Sequence, residues 1–173
     1  MKILILSALF PPDVSPTASY VKNLATRLSK KSAVTVLTFG HLPEEITGVK
    51  VICVDKRRSL ISRLSSFHKA FGQEAAKHDM IIVNNAPSID VPVLITNPGT
   101  PIVYIQSDYL AAQSTSSPQK FLRSQMMDKA ARVIRLPKDP VYLKPEELPF
   151  ADTAAAVATN EAWWQEHLTE IIL

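Results

Sequence analysis

Glycine is scarce in this chain: only Gly40, Gly48, Gly72 and Gly99 occur, and none lies between the first apolar run and the first amphipathic segment. A dinucleotide-binding fold needs glycine there, because a Cβ would hold the backbone N–H groups away from a pyrophosphate. The same shortage excludes a G-x-x-x-x-G-K-S/T phosphate loop and a G-x-S-x-G nucleophile elbow. Cysteine is nearly absent as well. Cys53 stands alone in VKVICVD, so no internal disulfide can form, and the residue reads as a small hydrophobe of a buried strand in a reducing, cytoplasmic setting. His41, His68, His78 and His167 have no cysteine or carboxylate partner at ligand spacing, so no metal is expected. No apolar run approaches the ~20 residues that span a bilayer. MKILILSALFPPD begins like a signal peptide but reaches Pro11-Pro12-Asp13 without a small-x-small site, and it reads better as a first strand. The formal charge of +3 is spread along the chain, which argues against a nucleic-acid partner.

What is present is the composition of one packed domain: 46% hydrophobic and 20% charged residues in 173, enough for a single substantial core over 1–173. Short, β-branched, nearly continuous apolar runs at Lys2 to Leu6, Ala33 to Thr38, Val49 to Val54, Met80 to Val83 and Ile102 to Ile105 suit strands buried on both faces. Between them, Val21, Leu24, Ala25 and Leu28 share one helical face, and Leu60, Leu64, Phe67, Phe71 and Ala75 share another, with Arg63, Lys69, Gln73 and Lys77 outward. Pro43 and Gly48, then Pro98, Gly99 and Pro101, mark connections. A helix is expected over Gln119 to Ala130, a surface connection over Lys138 to Pro149, a last strand over Thr153 to Ala158, and a final helix over Glu161 to Ile172. The alternation predicts an α/β fold: a Rossmann-like, mostly parallel sheet with helices on both faces.

Ligands of open α/β sheets bind at the C-terminal ends of the strands. That directs attention to the loop Ser7 to Pro16, SALFPPDVSP, stiffened by Pro11, Pro12 and Pro16 and leading to a helix capped by Thr17 or Ser19. Phe10, Pro12, Asp13, Ser15 and Thr17 are its candidate binding residues. Asn84 and Asn85 end one later strand, and Gln106, Ser107, Asp108 and Tyr109 the next. Amides, a hydroxyl, a carboxylate and an aromatic face make a carbohydrate-binding set, although the same residue types also cap turns and helices. Of Trp163 and Trp164, one is expected in the core and the other at a surface where a partner docks. Lys56, Arg57 and Arg58, beside Arg63, read as a solvated helix start, with attraction to anionic lipid or a phosphate-bearing acceptor as the alternative.

The stretch KILILSALFPPDVSPTASYVKNLATRLSKKSAVTVLT resembles the opening of the family 4 glycosyltransferases: a strand, P-P-x-x-G-G, a helix ending L-A-x-x-L, and G-H-x-V-T-V-L-T. HDMIIVNNAPSIDVPVLITNPGTPIVYIQSDY and ADTAAAVATNEAWWQEHL are similar to later segments of the same N-terminal domain. The resemblance implies the N-terminal, acceptor-side half of a GT-B fold, with the nucleotide-sugar donor held on a C-terminal domain beyond these residues and no cofactor here. It also implies a carbohydrate or lipid-linked acceptor, with Asp108 and the loop through Asp13 lining the cleft. Contact with a membrane would be peripheral, at its inner surface. In a retaining enzyme of this kind the protein positions groups and stabilises the departing phosphate, so no strong nucleophile is required. This chain departs from the family at its glycine pair, replaced by Ser15 and Pro16, and at its histidine, which falls near Ser107. Two other readings stay open: a non-catalytic binding or partner subunit that docks through the Trp163 helix, and an unrelated flavodoxin-like small-ligand domain. A second glycosyltransferase half or another copy of this chain is the expected partner.

Overall fold

The computed structural model describes residues 1–107, 117–137 and 153–173. Six strands form one sheet, β1 (Lys2–Ser7), β2 (Ala33–Gly40), β3 (Val49–Asp55), β4 (Met80–Asn84), β5 (Ile102–Ser107) and β6 (Arg132–Leu136). Their order is β3-β2-β1-β4-β5-β6 and every pairing is parallel. Helices α1 (Pro16–Leu28) and α5 (Thr153–Ile172) cover one face, and α2 (Leu60–Ala75), α3 (Pro87–Thr96) and α4 (Ser117–Lys129) the other. This is an open Rossmann-like α/β fold.

Alternation along each strand divides the core into two layers. Ile3 and Ile5 pack with Val21, Leu24, Leu28 and Trp164, while Leu4 and Leu6 pack with Phe67, Phe71, Ile89 and Met126. The α5 helix is anchored by its aromatic side chains. Trp164 is fully buried, Trp163 is half-buried, and the Tyr20 hydroxyl lies 2.7 Å from His167 Nε2. Trp163 also stacks on the His167 ring, with 4.3 Å between centroids. Burial pushes the His167 imidazole down to about 4, so the ring is neutral at neutral pH.

Three expectations need correction. The α1 cap is Ser15, not Thr17 or Ser19: its Oγ accepts the Ala18 N–H at 3.1 Å. Pro16 at the first helical position sets that start, since a residue preceding proline is driven to extended geometry. Thr153 to Ala158 is no strand but the opening of α5, where Ala154, Ala155, Ala156 and Ala158 supply the strongest helix propensity. The edge strand comes instead from RVIRL, Arg132–Leu136. Arg63 does not point away from the protein; its guanidinium lies 5.5 Å over the Phe39 ring. The turn before β3 does require Gly48, whose φ of +79° lies in the left-handed region. No helix among the described residues is long and apolar enough to cross a membrane.

Candidate functional site

From β1 the chain crosses to β2 on one side, and from β4 it crosses to β5 on the other, so the connections diverge above the β1–β4 pair. A crevice opens where they part. It is a cleft of about 410 Å³ lined by Ala8 and Leu9 after β1, Thr17 in α1, Asn84 and Asn85 at the end of β4, and Asp90 in α3. Gln119 and Arg123 of α4 close its far side.

Ser7 shapes the near wall. Its hydroxyl donates to the Leu9 carbonyl at 2.7 Å and accepts from the Leu9 N–H at 3.3 Å, folding the loop back over the strand tip. On the other side, the Tyr104 hydroxyl donates to Asp90 Oδ2 at 3.1 Å, and Asn85 in turn hydrogen-bonds Tyr104. Asp90 is 3% exposed. Burial raises its carboxyl to about 7 against the opposing pull of Tyr104, the Ala86 N–H and the Arg123 charge, and burial also drives the Tyr104 hydroxyl upward. The Ala86 N–H favours the charged form without making a hydrogen bond to Oδ1 of normal geometry. Asn84 Oδ1, Asp90 Oδ1 and Arg123 Nε are buried and lack a hydrogen-bond partner among the described residues. A buried polar atom left in that state costs about 1–3 kcal/mol, so the cleft holds unspent hydrogen-bonding capacity.

Beside it, the proline loop forms a second hollow of about 310 Å³ with the ends of β2 and β3. Here the loop's carboxylate is paired. Asp13 accepts from Lys56 Nζ and from the Phe10 N–H, and the Glu44 N–H donates to the Pro11 carbonyl at 2.9 Å. The Pro11–Pro12 bond is cis. Gly40 is needed at the base, because a Cβ there would come within 2.9 Å of Cys53 Sγ.

No family model matches this chain, and no curated protein matches it in sequence. Solved structures match its fold. The C-terminal domain of the coenzyme A biosynthesis bifunctional protein CoaBC aligns with a TM-score of 0.50 at 10% identity, over 97% of this chain and 94% of that one. A putative UDP-N-acetylglucosamine 2-epimerase from Listeria monocytogenes aligns with a TM-score of 0.51 at 12% identity, over 81% of this chain and 40% of that one. Anabaena HepE in complex with UDP-glucose aligns with a TM-score of 0.57 at 17% identity, over 88% and 42%. The chain thus spans less than half the length of the last two. At these identities the likeness establishes the Rossmann-like fold, which single-domain and longer proteins share, and leaves the site to be read from its own chemistry.

The predicted site residues fall into separate places. Thr17, Asn84 and Asn85 meet in the β1–β4 cleft, whereas Phe10, Pro12 and Asp13 line the neighbouring groove. Phe10 is 2% exposed and belongs to the core. Ser15 is occupied as the helix cap. Ser107 ends β5; its side chain, like Asp108 and Tyr109 as a whole, lies outside the described residues. The two charged residues of the cleft, Asp90 and Arg123, escaped the sequence reading. Asp90 was detectable as the one carboxylate in the apolar stretch PSIDVPVLIT, because such a residue is either partnered or functional. Arg123, at an ordinary spacing in a polar helix, gave no such signal.

Proposed function

We propose that this chain is the acceptor-side half of a sugar-transferring protein of the family 4 glycosyltransferase kind, with the β1–β4 cleft forming the acceptor wall. The observation that carries this reading is the cleft's position at the crossover of a parallel sheet together with its lining of neutral amides, a hydroxyl, one buried carboxylate and the Arg123 guanidinium. Such a set recognises hydroxyl groups. Coverage of 40% and 42% of two longer chains, one captured with UDP-glucose, supports a partner half that holds the donor. The family's glycine pair is supplanted by a capping serine and a proline that lacks an N–H. That substitution favours the acceptor role over a grip on donor phosphate. Transfer of labelled sugar from UDP-glucose is expected only when a donor-binding polypeptide is supplied in trans or by fusion. Transfer by this chain alone, or its absence under both conditions, overturns the reading.

A further inference from the structure

Two helices start at the β1–β4 cleft, and neither is well equipped to hold an anion. In α1, Pro16 has no N–H, Ala18 donates to Ser15 Oγ at 3.1 Å, and Ser19 donates to the Ser15 carbonyl at 3.1 Å. In α3, Pro87 has no N–H, and Ile89 and Asp90 both donate to the Ala86 carbonyl at 2.8 Å. Among the described contacts this leaves the Thr17 and Ser88 N–H groups, where an uncapped start would offer several. Of the three unpaired buried atoms in the cleft, two are acceptors, on Asn84 and Asp90, and one is the Arg123 Nε donor. Asn84, 2% exposed, and Asp90, 3% exposed, each keep Oδ1 without a hydrogen bond among the described residues. Tyr104 already occupies Asp90 Oδ2 and fixes the carboxyl group.

We propose that the floor of this cleft binds an uncharged polyhydroxylated ring, with Asp90 Oδ1 and Asn84 Oδ1 each accepting a hydrogen bond from a ligand hydroxyl. A phosphate could accept from Arg123 but would leave Asn84 Oδ1 and Asp90 Oδ1 without donors and would face the Asp90 carboxylate. An ammonium group would meet Arg123. A sugar-like ring supplies hydroxyl donors to both oxygens and an acceptor oxygen to Arg123 Nε, without adding charge to a pair that already balances. Asp90 is then the specificity-determining residue of the cleft. This inference rests on the reading of the cleft as an acceptor wall and narrows the acceptor to its neutral hydroxyl-bearing part.

The test is a nitrogen-proton correlation NMR titration of the full chain with methyl α-glucoside and, separately, with inorganic phosphate. The glucoside is expected to shift the Asn84 and Asn85 side-chain amides and the Leu9 and Thr17 backbone signals, and phosphate to leave them in place. Asp90→Asn, nearly isosteric, is expected to weaken glucoside binding at least tenfold. The wild-type protein supplies a second measurement that needs no variant: binding strengthens between about pH 6 and about pH 8 as the carboxylate forms. Of the groups facing Asp90, Tyr104 from β5 is driven above this window, and the Arg123 charge from α4 opposes the rise of the Asp90 carboxyl. His68 of α2 meets α3 at Thr96, the other end of the helix. Phosphate shifting the same signals at lower concentration, or unchanged affinity in Asp90→Asn, overturns the proposal. Glucoside shifts confined to Phe10, Asp13 and His41 overturn it and move the acceptor wall to the neighbouring groove, while leaving the reading of the chain as an acceptor-side half intact. Absence of any glucoside shift, combined with absence of transfer in the presence of a donor polypeptide, overturns both.

Discussion

The cleft above β1 and β4 and the groove above β2 and β3 share one loop and one edge of the sheet, yet their polar atoms are in opposite conditions. In the groove, Asp13 is satisfied by Lys56 and by the Phe10 N–H, and Phe10 itself is sunk into the core. In the cleft, Asn84, Asp90 and Arg123 each retain a buried atom without a partner among the described residues. Folding alone selects for the first condition, because unsatisfied buried groups cost stability. Arg63 Nε and Gln106 Oε1, outside the cleft, are also unpartnered among the described residues, but the cleft gathers three such atoms around one hollow. That contrast is the ground for proposing the crossover cleft, with the proline loop as its scaffold, as the binding site.

The largest expected effect comes from removing the scaffold's anchor. Phe10→Ala should lower stability by about 3–5 kcal/mol, the usual cost of deleting a fully buried aromatic ring, measured by denaturant unfolding. Ligand binding by the folded fraction should be unchanged. Loss of glucoside affinity out of proportion to the folded fraction would merge the two regions and break the comparison.

Next is the pH dependence of Asp90. Its native carboxyl, raised to about 7, lies above the unfolded value of about 3.9, so the native state holds more protons between the two. Stability therefore falls as pH rises through that window, by up to about 4 kcal/mol. His167 acts in the opposite direction. Its native value of about 4 lies below the unfolded value of about 6.5, so the unfolded state binds more protons and stability rises with pH by about 3 kcal/mol. In the wild type the two trends nearly cancel between about pH 4 and about pH 6.5. Asp90→Asn should expose the His167 rise, and its advantage over the wild type should grow from near zero at about pH 4 to about 4 kcal/mol at about pH 7. Parallel stability curves for the two proteins would show that Asp90 is not buried as a costly charge.

The sheet was legible because strands buried on both faces announce themselves as apolar runs, and all five that were read in this way are present. The sixth was hidden by charge. Arg132 and Arg135 interrupt RVIRL, as an edge strand with one exposed border allows. α3 was hidden for the converse reason: PSIDVPVLIT is apolar nearly all round and carries Pro92 in its interior, so no helical period shows. Half of the site was legible from the strand-end rule, which located Thr17, Asn84 and Asn85. The other half depends on which helix packs over which strand. No local pattern places Asp90 beside Tyr104, 14 residues on, or Arg123 across from both.

The smallest expected effect tests the groove directly. Lys56 and Asp13 form an ion pair whose side chains are 32% and 30% exposed, a setting in which such pairs contribute about 0–1 kcal/mol and are screened by salt. Lys56→Met should lower stability by no more than about 1 kcal/mol at low salt and by less at high salt, read from denaturant midpoints. It should leave glucoside affinity and the Asn84 and Asn85 side-chain signals where they were. The value of so small a change lies in its location. Asp13 stood among the candidate binding residues on sequence grounds, and releasing its carboxylate from Lys56 frees it for a ligand if the groove is where ligands bind. Tighter glucoside binding in Lys56→Met would then assign the site to the loop. Indifference leaves Asp13 as a staple that holds the loop against β3, and leaves recognition to the residues whose hydrogen bonds the fold itself does not complete.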